Sequence, residues 1–191
     1  MTGHNTSSDV RKRAALCLNR VLRATPEVPF PEEWLSPISD LLKHRSFGVV
    51  ISVMALVLGV LEGTSDIETD TLAGRVIVLL QQLVLIGSCP GEYLYKKIPC
   101  PWLQVKLLRA LSLMELPESS ADKARLVDVL SRILSRCPEM QKCVNRNNSN
   151  HSILFEAIDL IVKHGDDLDT SLKIKASSLL GRYIQIRDAN M

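Results

Sequence analysis

Aromatic residues and net charge are both scarce in this chain of 191 residues. Phe, Trp and Tyr make up 4% of it, and 23 basic and 21 acidic side chains leave a formal net charge of +2. Dedicated nucleic-acid-binding proteins are strongly basic, so no nucleic-acid partner is expected. A hydrophobic fraction of 46% excludes an intrinsically disordered chain, which buries too little apolar surface to fold. The chain is therefore expected to form a substantial core.

Long apolar runs and targeting signals are missing as well. The longest apolar run, residues 49–61, is interrupted by Ser52 and Gly59 and is shorter than the roughly 20 residues that span a membrane. The polar N-terminus has no hydrophobic segment after its basic residues, unlike a secretory signal. We therefore expect a cytoplasmic protein. Its five cysteines are odd in number and show no pairing pattern, so we also expect free thiols.

Motifs for catalysis and metal binding are absent from the sequence. No glycine begins a phosphate-binding loop, and neither His-x-x-x-His nor Cys-x-x-Cys occurs. Two cysteine pairs could bind a thiophilic metal, namely Cys89 with Cys100 and Cys137 with Cys143. Neither pair has a second pair of ligands at zinc-finger spacing. We predict no catalytic residue, no metal site, no cofactor and no small-molecule substrate.

Hydrophobic residues recur at helical spacing in almost every segment, which predicts an all-α protein of about eight helices. The predicted helix starts are Asp9, Ser36, Ser46, Thr69, Pro101, Ser120, Asn150 and Thr170. Gly87 and Gly165 are predicted to end helices, Pro138 is predicted to stop the helix that runs to about Cys137, and residues 141–150 are predicted to form a loop. About eight helices in 191 residues give about 48 residues per helix pair, which is close to the period of HEAT and armadillo repeats. We therefore predict an α-solenoid, and a compact helical bundle is the alternative.

Fifteen apolar residues are predicted to lie between the helices: Leu18, Val21, Leu41, Met54, Leu58, Leu79, Leu83, Val105, Leu108, Leu130, Ile133, Phe155, Ile158, Leu179 and Ile184. Residues 1–191 are taken as one segment, with residues 1–8 expected to be disordered. Neither end of the sequence has the polar cap of a complete solenoid, so a longer rod and self-association are expected.

Basic residues form the strongest polar feature: Lys96, Lys97, Lys106, Arg109, Lys123, Arg125, Arg132 and Arg136. Such residues attract anionic lipid headgroups, which makes a peripheral phosphoinositide-binding module on Lys96, Lys97, Lys106 and Arg109 one alternative. Their interleaving with apolar residues also fits the polar faces of amphipathic helices. No lipid-binding residue is assigned on this pattern.

The segment IPCPWLQVKLLRAL (98–111) is similar to a Pro-x-Pro-Trp-Leu-x-Val-Lys-Leu-Leu-Arg stretch of α-adaptin. The adaptins are the large subunits of clathrin adaptor complexes. Residues 10–29, 45–62, 152–164 and 180–191 are similar to the same family in order and spacing. Trp102 and residues 154–157 (LFEA) resemble the α subunit more than the γ subunit, whereas residues 113–125 depart from the family pattern.

The resemblance implies a right-handed α-solenoid trunk segment of the plasma-membrane clathrin adaptor, which acts as a scaffold and not as an enzyme. It implies the small, medium and second large adaptor subunits as partners, and location in the cytoplasm at coated pits, with membrane association through the whole complex. The family's phosphoinositide-binding cluster lies in helices that match no residue here. A different HEAT-type scaffold, such as γ-adaptin or a coatomer subunit, remains the alternative.

Overall fold

The computed structural model describes residues 3–64, 67–136, 143–165 and 167–185. Within these ranges it contains eight α-helices: α1 (Gly3–Ala24), α2 (Leu35–Asp40), α3 (Phe47–Gly63), α4 (Asp70–Gln81), α5 (Pro101–Leu113), α6 (Ser120–Ser135), α7 (Val144–His164) and α8 (Thr170–Tyr183). Between α4 and α5, two short strands, β1 (Leu94–Tyr95) and β2 (Ile98–Pro99), pair antiparallel. The predicted all-α architecture is confirmed.

The long helices stack in two layers. In one layer α1 packs on α3, α3 on α5 and α5 on α7; in the other α4 packs on α6 and α6 on α8. The layers are joined where α4 meets α5, where α6 meets α7 and where α7 meets α8. Because each helix contacts mainly the next ones in its row, the arrangement is that of the predicted α-solenoid.

Helix α3 lies at the centre of its layer, between α1 and α5. It is apolar on all sides, and Val49, Val53 and Met54 have no exposed surface, as expected for a helix enclosed by neighbours. A Cβ at Gly59 would lie 2.0 Å from Oδ1 of Asn19, so the side chain of Asn19 on α1 occupies the space that the glycine leaves open on α3. No helix in the described ranges has the length and apolar character needed to cross a membrane.

Most of the predicted core is confirmed. Eight of the predicted residues are buried: Met54, Leu58, Leu79, Leu83, Leu108, Leu130, Ile133 and Ile158. Five more are half-buried and pack against the core: Leu18, Leu41, Val105, Phe155 and Leu179. Two predictions are wrong, because Val21 is 51% and Ile184 is 84% exposed. Val21 projects away since α1 packs through the face that holds Ala15 and Leu18, and Ile184 follows the last residue of α8.

The predicted helix ends are confirmed where the signal is a special backbone position. Ser46 and Thr69 are N-cap residues, Pro101 begins α5, and Gly87 adopts the left-handed conformation with φ +74°. Helices α6 and α8 begin at Ser120 and Thr170 as predicted, although the capping side chains belong to Ser119 and Asp169.

Four predictions of helix starts and loops are wrong. Asp9 lies inside α1, which is helical from Gly3 onward. Ser36 lies inside α2 and Asn150 inside α7. Residues 144–150 are therefore helical instead of forming a loop. Cys137, Pro138 and residues 141–142 lie outside the described residues.

Candidate functional site

The basic residues singled out in the sequence are divided among three elements. Lys96 and Lys97 form the turn of the hairpin, Lys106 and Arg109 lie on α5, and Lys123, Arg125, Arg132 and Arg136 lie on α6 or directly after it. Arg109 pairs with Glu156 of α7, and Arg125 pairs with Asp122 at 2.6 Å. Arg109 and Arg125 are thus engaged with carboxylates instead of presenting free charges.

Ion pairs connect successive helices of the odd-numbered layer. Arg23 of α1 pairs with Glu62 of α3 at 2.8 Å, and Arg109 of α5 donates to both carboxylate oxygens of Glu156 on α7. The hydrogen bond to Glu156 raises the pKa of Arg109, and the negative charge of Glu62 adds to this effect. The charges therefore alternate along the layer. Exposed pairs of this kind stabilise a fold only weakly, so their main effect is to give this face a mixed, polar character.

A groove of about 560 Å³ opens between the start of α3, helix α4 and the start of α6. Two of its cations are paired with carboxylates: Arg75 pairs with Asp40 at 2.8 Å and Arg125 pairs with Asp122 at 2.6 Å. The carboxylate of Asp70 accepts a hydrogen bond from the backbone N–H of Glu118. Arg75 thus joins α2 to α4, and Asp70 joins α4 to the segment before α6. Lys43 and Arg45 also line the groove, so four cations and two carboxylates are found among its described lining residues.

A smaller cavity, of about 370 Å³, lies where the hairpin meets the end of α6 and the start of α7. Three cations line it, namely Lys97, Arg136 and Arg146, and the described lining residues include no carboxylate. Sequence reasoning singled out Lys97 and Arg136 but missed Arg146, because that residue lies in the segment predicted to be a loop. The helical spacing of Asn147, His151 and Leu154, all buried, is the signal that α7 begins earlier.

Cysteine and histidine side chains form no metal-binding group within the described ranges. Cys100 is fully buried, and burial raises its pKa to about 12. Burial also raises the pKa of the nearby Cys89. Both thiols are thus held in the protonated form, whereas nucleophilic and metal-binding cysteines need the thiolate. Cys143 is exposed, and Cys137, with which it was paired in the sequence, lies outside the described residues.

The aromatic residues that carry the adaptin resemblance lie in two clusters. Trp102, at the start of α5, is 40% exposed and meets Tyr95 of the hairpin edge to face, with ring centroids 6.1 Å apart. Phe155 of α7 packs against Tyr183 of α8 at 5.7 Å and against His151 at 6.5 Å. The first cluster fixes the hairpin to α5, and the second fixes the last two helices to each other.

Comparison with known proteins gives a family and several relatives. Residues 3–191 match the family model described as the adaptin N-terminal region. The chain is 34% identical over 182 residues to the AP-2 complex subunit alpha-1 of Arabidopsis thaliana, covering 95% of this chain and 18% of that protein. It is 35% identical over 189 residues to the AP-2 complex subunit alpha-2 of Dictyostelium discoideum, covering 98% and 19%.

A gamma subunit is more distant. The AP-1 complex subunit gamma of Dictyostelium discoideum is 28% identical over 184 residues, covering 95% of this chain and 19% of that protein. The chain thus spans about a fifth of the length of the curated relatives it matches. The preference for an α-type over a γ-type sequence, first indicated by Trp102 and residues 154–157, agrees with the higher identity to the alpha subunits.

Proposed function

The chain belongs to the family of adaptin N-terminal regions, and from that premise we propose that it is a scaffold segment of an α-type large subunit of a clathrin adaptor complex. In this role it would serve endocytic vesicle formation and intracellular protein transport. The observation that carries the proposal is the identity of 34–35% to AP-2 alpha subunits over nearly the whole chain, against 28% to an AP-1 gamma subunit.

The arrangement of the molecule supports a scaffold instead of an enzyme. Its polar side chains are largely occupied in structural contacts: Ser119 and Asp169 cap helices, and Arg23, Arg75 and Arg109 form ion pairs between helices. Two rows of helices present broad faces on either side of the core, and such faces suit contacts with other folded proteins.

The partners follow from the same proposal. We infer that the chain assembles with the small, medium and second large adaptor subunits. Its location would be the cytoplasmic side of the plasma membrane at coated pits, with membrane contact made by the complex as a whole. No nucleic acid and no small-molecule substrate is part of this function.

Affinity purification tests this proposal. The tagged chain, expressed in cells that contain adaptor complexes, is expected to recover the small adaptor subunit together with the second large subunit. The variant Leu108→Asp places a charge in the fully buried core of α5 and is expected to lose these partners through unfolding, whereas Val162→Asp changes an exposed residue and retains them. Recovery of coatomer subunits, of γ-type adaptor subunits or of nuclear-transport proteins in their place would contradict the proposal.

A further inference from the structure

The cavity of about 370 Å³ beside the hairpin concentrates positive charge that no described side chain balances. Lys97, Arg136 and Arg146 reach it from the hairpin turn, from the end of α6 and from the first turn of α7. The amide side chains of Gln104 and Asn150 also line it, and the described lining includes no Asp or Glu. Three cations at one small cavity repel one another unless an anion lies between them.

The two arginines differ from the other structural arginines of the chain. Four arginines contact carboxylates, namely Arg23, Arg75, Arg109 and Arg125. Arg136 instead donates to the backbone carbonyl of Val84 at 2.7 Å, and burial together with the nearby charge of Arg132 lowers its pKa. Nε of Arg146 is buried and has no hydrogen-bond partner within the described part of the chain. Both guanidinium groups therefore lack a described anionic partner.

The third cation, Lys97, lies in a backbone conformation that residues other than glycine rarely adopt. Lys96 and Lys97 both have positive φ, +49° and +68°, in the two-residue turn between β1 and β2. Turns of this type favour Asn-Gly, because side chains with a Cβ rarely adopt the left-handed conformation. A strained conformation at two successive lysines is the kind of feature that persists where a side chain has a function.

We propose that this cavity binds a small anion with several phosphate groups. Guanidinium groups match phosphate oxygens with paired hydrogen bonds, and an ammonium group adds a compact charge. The volume lies at the low end of small-molecule sites, which fits a polyphosphate or a phosphorylated ring and excludes a folded partner. The same phosphate chemistry occurs in soluble inositol phosphates and in the headgroups of phosphoinositide lipids.

Titration calorimetry on the 191-residue chain tests the site with tripolyphosphate and with inositol trisphosphate as probes. Saturable binding that weakens with added salt is expected. Arg146→Gln and Arg136→Gln are each expected to weaken it by about tenfold or more, the effect of losing a charge-assisted hydrogen bond. Arg125→Gln is the matched control, because Arg125 lies on α6 but pairs with Asp122 outside the cavity and should leave the affinity unchanged.

A double variant of the turn separates binding from folding. Lys96→Asn with Lys97→Gly supplies the residues that the turn favours and removes the cation from the cavity. It is expected to raise the melting temperature while weakening the binding of tripolyphosphate. A variant that binds as tightly as the original chain would overturn the role of Lys97.

Sedimentation with vesicles distinguishes the two sources of phosphate. Phosphatidylcholine vesicles with and without a phosphoinositide bearing two ring phosphates are compared with the soluble probes. Binding that depends on Arg146, to either the vesicles or the soluble probes, supports the site and identifies the source. The proposal is overturned if no probe binds at low salt, or if Arg125→Gln weakens binding as much as Arg146→Gln. Recovery of adaptor subunits is independent of these results, so the scaffold function is tested separately.

Discussion

At the scale of single residues, Cys100 places a titratable thiol in the core. It precedes α5 with φ +37°, has no exposed surface, and has a pKa raised to about 12 by burial. Its backbone N–H donates to the carbonyl of Tyr93, which fixes the residue against the hairpin. The thiol thus acts as a small apolar group in the core.

Ionisation of this thiol should make stability depend on alkaline pH. The unfolded chain ionises near the ordinary value of 9.0, whereas the folded chain keeps the proton up to about pH 12. The unfolded state therefore loses its proton first, and the free energy of unfolding falls as pH rises between these values, by roughly 1 kcal/mol per pH unit. Urea denaturation at several pH values measures the slope.

Two variants isolate the contribution of Cys100 from that of other groups that titrate at high pH. The free energy of unfolding of Cys100→Ala should fall less steeply with rising pH than that of the original chain. Cys17→Ala should follow the original chain, because Cys17 is exposed. Parallel curves for the original chain and Cys100→Ala would show that the buried thiol does not govern the alkaline loss of stability.

At the scale of secondary-structure elements, capping side chains mark the starts of α6 and α8. The side chain of Ser119 accepts a hydrogen bond from the backbone N–H of Asp122 at 3.3 Å, which satisfies one of the free donors at the start of α6. Ser120 is the first residue of the helix and is exposed. The two adjacent serines therefore have different roles.

Replacement of each serine by alanine measures the cap directly. Ser119→Ala should lower the free energy of unfolding by about 1 kcal/mol, the usual effect of losing a serine cap. Ser120→Ala should be neutral or slightly stabilising, because alanine has the higher helix propensity. Thermal and chemical denaturation of both variants would give this difference, and equal effects would be inconsistent with a cap at Ser119.

Sequence patterns predicted helix ends that depend on the local backbone better than those that depend on packing. Proline at the first position of α5 and Gly87 after residues 82–86 mark ends because they act on the backbone locally. The start of α7 was missed because its first turns are rich in asparagine, a residue that favours turns in isolation. In the folded chain Asn147 and His151 are buried, so packing stabilises helix where local preference does not.

The candidate sites show the same limit. Lys97, Arg136 and Arg146 come from three separate segments, and no spacing along the chain could have brought them together. Arg109 and Glu156 likewise meet only because α5 packs on α7. Local patterns thus predicted which side chains carry charge, but the stacking of the two layers determines which charges are paired and which surround a cavity.

At the scale of the whole molecule, helix α1 presents an apolar stripe that is not covered within the described structure. Val10, Ala14, Cys17 and Val21 recur at intervals of four, three and four residues and are exposed, with Val10 at 61% and Val21 at 51%. This spacing places them on one side of the helix, as in the contact seam of paired helices. An adjoining face of α1, with Ala15 and Leu18, packs on α3.

The stripe should make the chain self-associate in the micromolar range. Val10→Lys combined with Val21→Lys places charges in the stripe and should shift the chain toward the monomer, because burial of exposed apolar surface drives such contacts. Sedimentation velocity under reducing conditions over a range of concentrations measures the shift. Val162→Lys is the control, since Val162 is 70% exposed on α7 and lies outside the stripe. Unchanged association in the double variant would place the contact elsewhere.

The segment directly after α4 can take up a change in the length of the chain. Residues Gln82–Ile86, directly after α4, form a widened helical turn in which the backbone N–H of Gly87 donates to the carbonyl of Gln82. Such a turn holds one residue more than an α-helical turn of the same rise, so it accommodates an insertion without breaking the helix. Val84 lies in this turn, and its carbonyl binds Arg136. Deletion of one residue here is expected to restore a regular helix and to turn the carbonyl that Arg136 binds, so a change of a single residue after α4 would be felt at the end of α6.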